Sequence, residues 1–255
     1  MDHWILVLGT VLAAIGGAWG MVSVHRGTRS LWTIVWMLAV FACQLAFLGL
    51  RGKQHGACPL TDHGEILVFL SWALTLFYLL VGSTYRISLL GVFTAPVVAV
   101  FQSIALIPGM LADNPREIPN GSFWHEIHSA TAVLAYGGFA LAAVAAVMFL
   151  VLDRQLKEHH LKSGLFRNLP PVRELLVSME RLLQFAGVLL TLGIIAGFLM
   201  PHDHKALGHL LAAVAVWSGY ALLLAIKLVR GLTGRKLSLS VVIMFILSLG
   251  VFAFV

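Results

Sequence analysis

A chain of 255 residues has room for one or two soluble domains, but its composition excludes them. Sixty percent of the residues are apolar, 11% are charged and the mean hydropathy is +0.94, whereas soluble domains carry about twice that share of charge. Two cysteines cannot build a disulfide framework, so the composition defines an integral membrane protein with net charge +6 and, unusually, eleven histidines.

Apolar runs long enough to cross a ~30 Å hydrocarbon layer as helices follow one another along the chain. In order they are Trp4 to Val24, Leu31 to Leu50, Ile66 to Ser83, Ile87 to Pro108, Ile127 to Leu152, Leu182 to Met200, Leu207 to Val229 and Ser238 to Val255. The runs are continuously apolar rather than alternating, which predicts helices and not a barrel. The expected fold is an all-α polytopic membrane helix bundle of about eight transmembrane helices, forming one integral-membrane domain over residues 1–255. Pro96 falls inside the fourth run and is expected to kink that helix without ending it. The first run is preceded by Asp2 and by no Lys or Arg, so it reads as a retained anchor rather than a signal peptide.

The distribution of basic residues orients the bundle. If alternate connections share a side, Arg26, Arg29, Arg86, Arg154, Lys157, Lys162, Arg167, Arg173, Arg181, Lys227, Arg230, Arg235 and Lys236 lie on one face. Only Arg51, Lys53, Arg116 and Lys205 lie on the other. The first face is therefore expected to be cytoplasmic, with both termini outside. The positive charge is accounted for by topology and attraction to anionic lipid, and nucleic-acid binding does not follow from it. The longest connection, Asp153 to Arg181, contains "PPVRELLVSMERLLQF", which reads as an interfacial helix leading into the sixth span.

This orientation puts His3, His55, His63, His125, His128, His202, His204 and His209 on the outer side, and His25, His159 and His160 on the inner side. None lies at mid-bilayer depth, which disfavours a respiratory cytochrome b with haem held inside the membrane. Imidazole is a frequent axial ligand of haem iron. His125 and His128 are three residues apart at the outer start of the fifth span, a spacing that can place both on one helix face. His209 enters the seventh span to a depth similar to that of His128. Histidines at helix ends also occur among headgroups with no ligand at all. A second cluster, His55, Cys58 and His63 in "GKQHGACPLTDHGE", is chemically suited to zinc or copper but matches no strict template. Gln44, Gln102 and Tyr136 are polar groups within spans and are expected to bond across helices. No acidic or basic residue occupies a span centre, which counts against proton-coupled transport.

The stretch Gly56 to Trp72, "GACPLTDHGEILVFLSW", resembles the loop-and-helix signature of the cytochrome c assembly family through Pro59, Leu60, Glu65, Phe69 and Trp72, followed by Tyr78. "WHEIHSATAVLAYGGFALAAVAAVMFLVLDRQLK" is similar to the family's later histidine-bearing helix, with His128 at the histidine position and Tyr136 following. "PPVRELLVSMERLLQFAGVLLTLGIIAGF" resembles the next segment, with Glu180 and Arg181 ahead of a glycine-rich span. The similarity runs over about Ile34 to Arg235. The Trp-rich segment of the CcsA/ResC-like synthase members is replaced by "MPHDHKALGH", and Gln44 and Ala225 stand where family histidines are expected. The resemblance is therefore strongest to the shorter HemX-like/YpjD-like branch.

This resemblance implies a haem-handling protein of the bacterial inner or plasma membrane that binds or presents haem at the outer face. It implies an assembly factor rather than a complete synthase, acting with another cytochrome c assembly protein or an apocytochrome. His128 would ligate haem iron, with His209 opposite and His125 nearby. Trp124, with Phe123 and Trp217, would supply an aromatic edge, and Tyr136 would line the site. Glu65 would orient the outer loop or a ligand histidine. The alternatives from the residues alone are a metal-ion permease or sensor using His55, Cys58 and His63, or a membrane scaffold without haem.

Overall fold

A computed structural model describes residues 2–26, 32–85, 88–112, 123–157, 172–200 and 204–250. Arg29, Arg86, Arg116, His159, His160, Lys162, Arg167 and His202 lie outside the described residues. The described residues form eight α-helices and no strand: α1 (Asp2–His25), α2 (Trp32–His55), α3 (His63–Tyr85), α4 (Ser88–Ala105), α5 (Phe123–Lys157), α6 (Val172–Leu199), α7 (His204–Arg230) and α8 (Gly234–Leu249). Six of them are long and apolar enough to cross a membrane, α4 is a shorter apolar helix and α8 spans 16 residues. The molecule is thus a multi-pass helical membrane bundle, with its apolar outer faces against lipid.

Helix α5 forms the centre of the bundle. It packs against α3, α6 and α8, and more lightly against α4. Its run from Ala135 to Ala146 is buried on every side, as expected of a helix surrounded by other helices rather than by lipid. Small residues permit the close contact: a Cβ on Gly137 would stand 2.3 Å from that of Ala73 in α3, and one on Gly138 would stand 2.9 Å from that of Ala186 in α6. Helix α1 uses the same device. Its buried Gly9, Ala13, Gly16 and Gly20 recur every three or four residues and face α2 and α4.

Pro96 lies within α4, which continues through it as expected. Gln44 donates from Nε2 to Ser71 Oγ at 3.1 Å, the expected bond between α2 and α3. Gln102 departs from expectation: its side chain is fully buried in α4 and hydrogen-bonds to none of the described residues. The predicted interfacial segment also differs, because residues 172–181 are the first turns of one continuous α6, with Leu175, Met179, Leu182 and Leu183 buried. Its Arg and Glu positions leave an apolar stripe that packs on α5, and this packing removes the need for a separate helix at the interface. In the same N-terminal part of α6, Glu180 forms an ion pair with Lys227 of α7.

Candidate functional site

Two groups of polar side chains are assembled at the end of the bundle where α2 finishes and α5 begins. The first joins α1, α2, α3 and the segment after α4. Hydropathy places the end of the second span at Leu50, but α2 runs on to His55 and terminates at Gly56, whose φ of 66° suits a glycine in the left-handed region. The buried positions Gln44, Leu48, Arg51 and His55 continue one helix face inward.

Arg51, expected in an outer loop, is completely buried. Its Nε pairs with Asp2 Oδ2 at 2.8 Å, and Nη1 donates to the Ala112 carbonyl at 2.8 Å and lies 3.8 Å from Glu65 Oε1. Glu65 is equally buried. It accepts from His55 Nε2 at 2.7 Å, and its other oxygen accepts from the Thr61 backbone N–H at 3.0 Å and the Thr61 hydroxyl at 2.9 Å. Asp62 accepts from the Ala112 N–H at 3.0 Å, and the Gly64 N–H donates to the Met110 carbonyl at 2.8 Å, satisfying one of the free N–H groups at the start of α3. Burying these charges is tolerated because each is paired and hydrogen-bonded. The cluster fastens four chain segments together and fixes the loop over residues 56–62. Glu65 therefore orients that loop, and the histidine it holds is His55.

This arrangement overturns the metal-site expectation for His55, Cys58 and His63. A carboxylate cannot donate, so His55 Nε2 carries the proton and offers no lone pair to a metal on that side. Among the described residues no group of three His, Cys, Asp or Glu side chains could hold a metal ion. The Cys58 thiol is pushed up to about 11, first by burial and then by the negative charges of Glu126 and Glu65. It is neutral at physiological pH, whereas the thiolate is the metal-binding form. The influence of Glu126 puts the loop within electrostatic range of the N-terminal end of α5.

The second group lies between α5, α6 and α7. His128 is 7% exposed, and its Nδ1 lies 2.7 Å from the Gly193 carbonyl of α6. A carbonyl only accepts, so Nδ1 carries the hydrogen and Nε2 keeps the lone pair. Gly193 and Gly197, one turn apart, make room for the ring: a Cβ on Gly197 would stand 2.8 Å from His128 Nδ1 and 2.8 Å from Leu210 of α7. Thr131 turns its hydroxyl to the Ile127 carbonyl at 2.6 Å, and a Cβ on Gly193 would meet that hydroxyl at 3.0 Å.

The other expected residues are distributed around this group. His125 is exposed while His128 is buried, so the two are not brought together. His209 immediately precedes Leu210 on α7, and its side chain lies outside the described part. Trp124 and Phe123 are exposed and meet edge to face at 5.5 Å, and Trp217 donates from Nε1 to Thr191 Oγ1 at 2.8 Å. Tyr136 is eight residues further along α5, about 12 Å deeper. It packs edge-on against Phe139, which stacks on Tyr220 at 3.9 Å. Trp72 stacks on Phe41 of α2 at 5.8 Å, a packing role between α2 and α3. Arg51, Gly193 and Gly197 were not among the predicted site residues. Arg51 and His55 can be found by extending the burial period of α2 beyond Leu50, and the two glycines by their spacing of four on the apolar α6.

Apolar helices around a small-residue centre, with a buried imidazole at one end, define a polytopic helical membrane protein carrying a ligand-competent histidine. Residues 60–255 match the family described as cytochrome C assembly protein, and the chain belongs to that family. It is similar to the cytochrome c biogenesis protein CcsA of Nostoc punctiforme, with 32% identity over 133 residues, 49% of this chain and 38% of that protein. The CcsA of Crocosphaera subtropica is 31% identical over 133 residues, covering 49% of this chain and 40% of that protein. The CcsA of Guillardia theta is 27% identical over a longer stretch of 232 residues, 80% of this chain and 76% of that protein. The chain thus spans about two fifths of the length of the first two relatives in its matched region.

Proposed function

We propose that this protein holds haem at the outer face of the inner or plasma membrane during assembly of c-type cytochromes, as one integral-membrane domain and as a factor rather than an enzyme. The observation that carries the reading is the His128–Gly193 contact. It commits Nδ1 to a backbone acceptor and leaves Nε2 as a ligand nitrogen of fixed direction, the arrangement by which backbone carbonyls orient metal-ligating histidines. Family membership and the naming of the relatives support it further. Haem would supply an iron centre, which His128 would hold with His209 on α7 as a second candidate ligand, and Trp124 and His125 would contribute to the same site. Glu65 acts at one remove, by holding the 56–62 loop beside α5, while Tyr136 supports the core beneath. An apocytochrome or a second assembly protein receives the haem.

The test is the absorbance spectrum of detergent-purified protein titrated with haemin. The expected result is a Soret band that His128→Ala abolishes and His55→Ala leaves in place. Folded protein that takes up no haemin at saturation would defeat the proposal and favour a scaffold of the same fold.

A further inference from the structure

The groove between α5 and α8 changes chemistry along its length. Its deeper part is a crevice of about 320 Å³ with α5 as floor at Ala143, Val144 and Val147, and with walls that include Pro96 of α4 and Val242 and Phe245 of α8. Every side chain lining it is apolar. Towards the C-terminal end of α5 a second cavity, of about 420 Å³, is lined by Leu150, Asp153, Arg154, Lys157, Arg235 and Leu239.

The two cavities lie in line. Val144, Val147, Leu150, Arg154 and Lys157 recur every three or four residues on α5, and Phe245, Val242, Leu239 and Arg235 do so on α8, so each helix presents one face to both. The α5 floor from Ala140 to Leu150 rises about 15 Å, half of the ~30 Å hydrocarbon layer and so the depth of one leaflet.

The mouth is cationic. Its lining carries Arg154, Lys157 and Arg235 against one carboxylate, Asp153, which pairs with Lys157 at 2.7 Å. Arg235 is exposed and pairs with no carboxylate among the described residues. A free anion would use only the mouth, and an uncharged acyl chain only the slot. A molecule that uses both must join an acyl chain to a negative headgroup.

We propose that the α5–α8 groove is a binding site for an anionic phospholipid, with an acyl chain along Val144 and Val147 and the phosphate between Arg235, Arg154 and Lys157. The basic-residue bias expects this end of the bundle at the cytoplasmic face, where anionic headgroups are drawn to Lys and Arg. The inference stands apart from haem handling, since the groove opens at the opposite end of α5 from His128.

Native mass spectrometry of the detergent-purified protein, with phosphatidylglycerol and phosphatidylcholine supplied in separate titrations, tests the site. Phosphatidylglycerol is expected to bind at least tenfold more tightly. Arg235→Gln should weaken it about fivefold, the equivalent of the ~1 kcal/mol carried by one basic residue near anionic lipid. Lys236→Gln removes the same charge next door but outside the cavity lining, and should leave binding unchanged. Both positions are exposed, so neither exchange threatens the fold. Val147→Trp, which fills the slot without changing charge, should also expel the lipid. Equal retention of the two lipids, or equal losses in the Arg235 and Lys236 variants, would overturn the proposal by showing a diffuse surface effect. Displacement of phosphatidylglycerol by equimolar glycerol phosphate would overturn it in favour of a simple anion site.

Discussion

His55 and His128 are both buried imidazoles at the same end of one bundle, yet their chemistry is opposite. His55 donates to the Glu65 carboxylate within a network that also takes in Arg51, Asp2 and Thr61. His128 spends one nitrogen on a backbone carbonyl and keeps the other as a base. The difference separates a histidine that serves as structure from one that can serve as a ligand, and neither exposure nor proximity to a cysteine discriminates them. What decides is which partner each ring nitrogen faces: a carboxylate consumes the histidine, whereas a carbonyl orients it.

The largest test of this contrast is Arg51→Ala, which removes the cation beside two carboxylates, one of them fully buried. It should cost about 3–5 kcal/mol, the scale for breaking a buried ion pair. His128→Ala should cost only about 1–2 kcal/mol for the lost hydrogen bond and packing. Denaturation midpoints in detergent micelles compare them, and equal losses would erase the distinction between the two regions.

Next in size is Gly197→Ala, whose new methyl would press on the His128 ring at 2.8 Å. Haemin affinity should fall about tenfold, or ~1.4 kcal/mol. Gly187→Ala, with open space around it, should leave haemin affinity intact and stabilise the helix by about 0.5–1 kcal/mol. If Gly197→Ala binds haemin like the parent, the carbonyl-held orientation of His128 is irrelevant to ligation.

The smallest effect concerns the loop between the two regions. With its thiol pushed up to about 11, Cys58 is protonated at neutral pH. Alkylation by a maleimide should therefore be slow at pH 7 and rise roughly tenfold per pH unit as the thiolate forms. Glu126→Gln removes one of the two negative charges that raise the value, so it should speed the reaction modestly. A Cys58 that reacts at pH 7 as fast as a free peptide thiol would show that the loop is not packed beside α5.

Much of the architecture was legible in the sequence. Continuous apolar runs located every helix, α4 continued through its proline as expected, and Gln44 found its partner in Ser71. His128 stood out by its place in the resemblance. Hydropathy failed where charge is buried with charge: it ended α2 at Leu50 because Arg51 and His55 look like loop residues, although their spacing from Gln44 and Leu48 continues the inward face. It could not separate His125 from His128 either, since three residues on a helix turn through about 300° and burial is settled by the neighbouring α6. The environment of Gln102 was likewise invisible, because tertiary packing decides whether a polar group finds a partner.

The 35 residues of α5 make it a ruler for the bilayer. His128 and Lys157 stand 29 positions apart on it, about 44 Å along the axis. That matches the ~40–45 Å thickness of a bilayer counted with both headgroup layers. Anchoring Lys157 among the headgroups of one leaflet therefore sets the imidazole at the headgroup level of the other, within reach of both water and acyl chains. An amphiphilic macrocycle with apolar edges and charged propionates would meet its own two solvents at that depth.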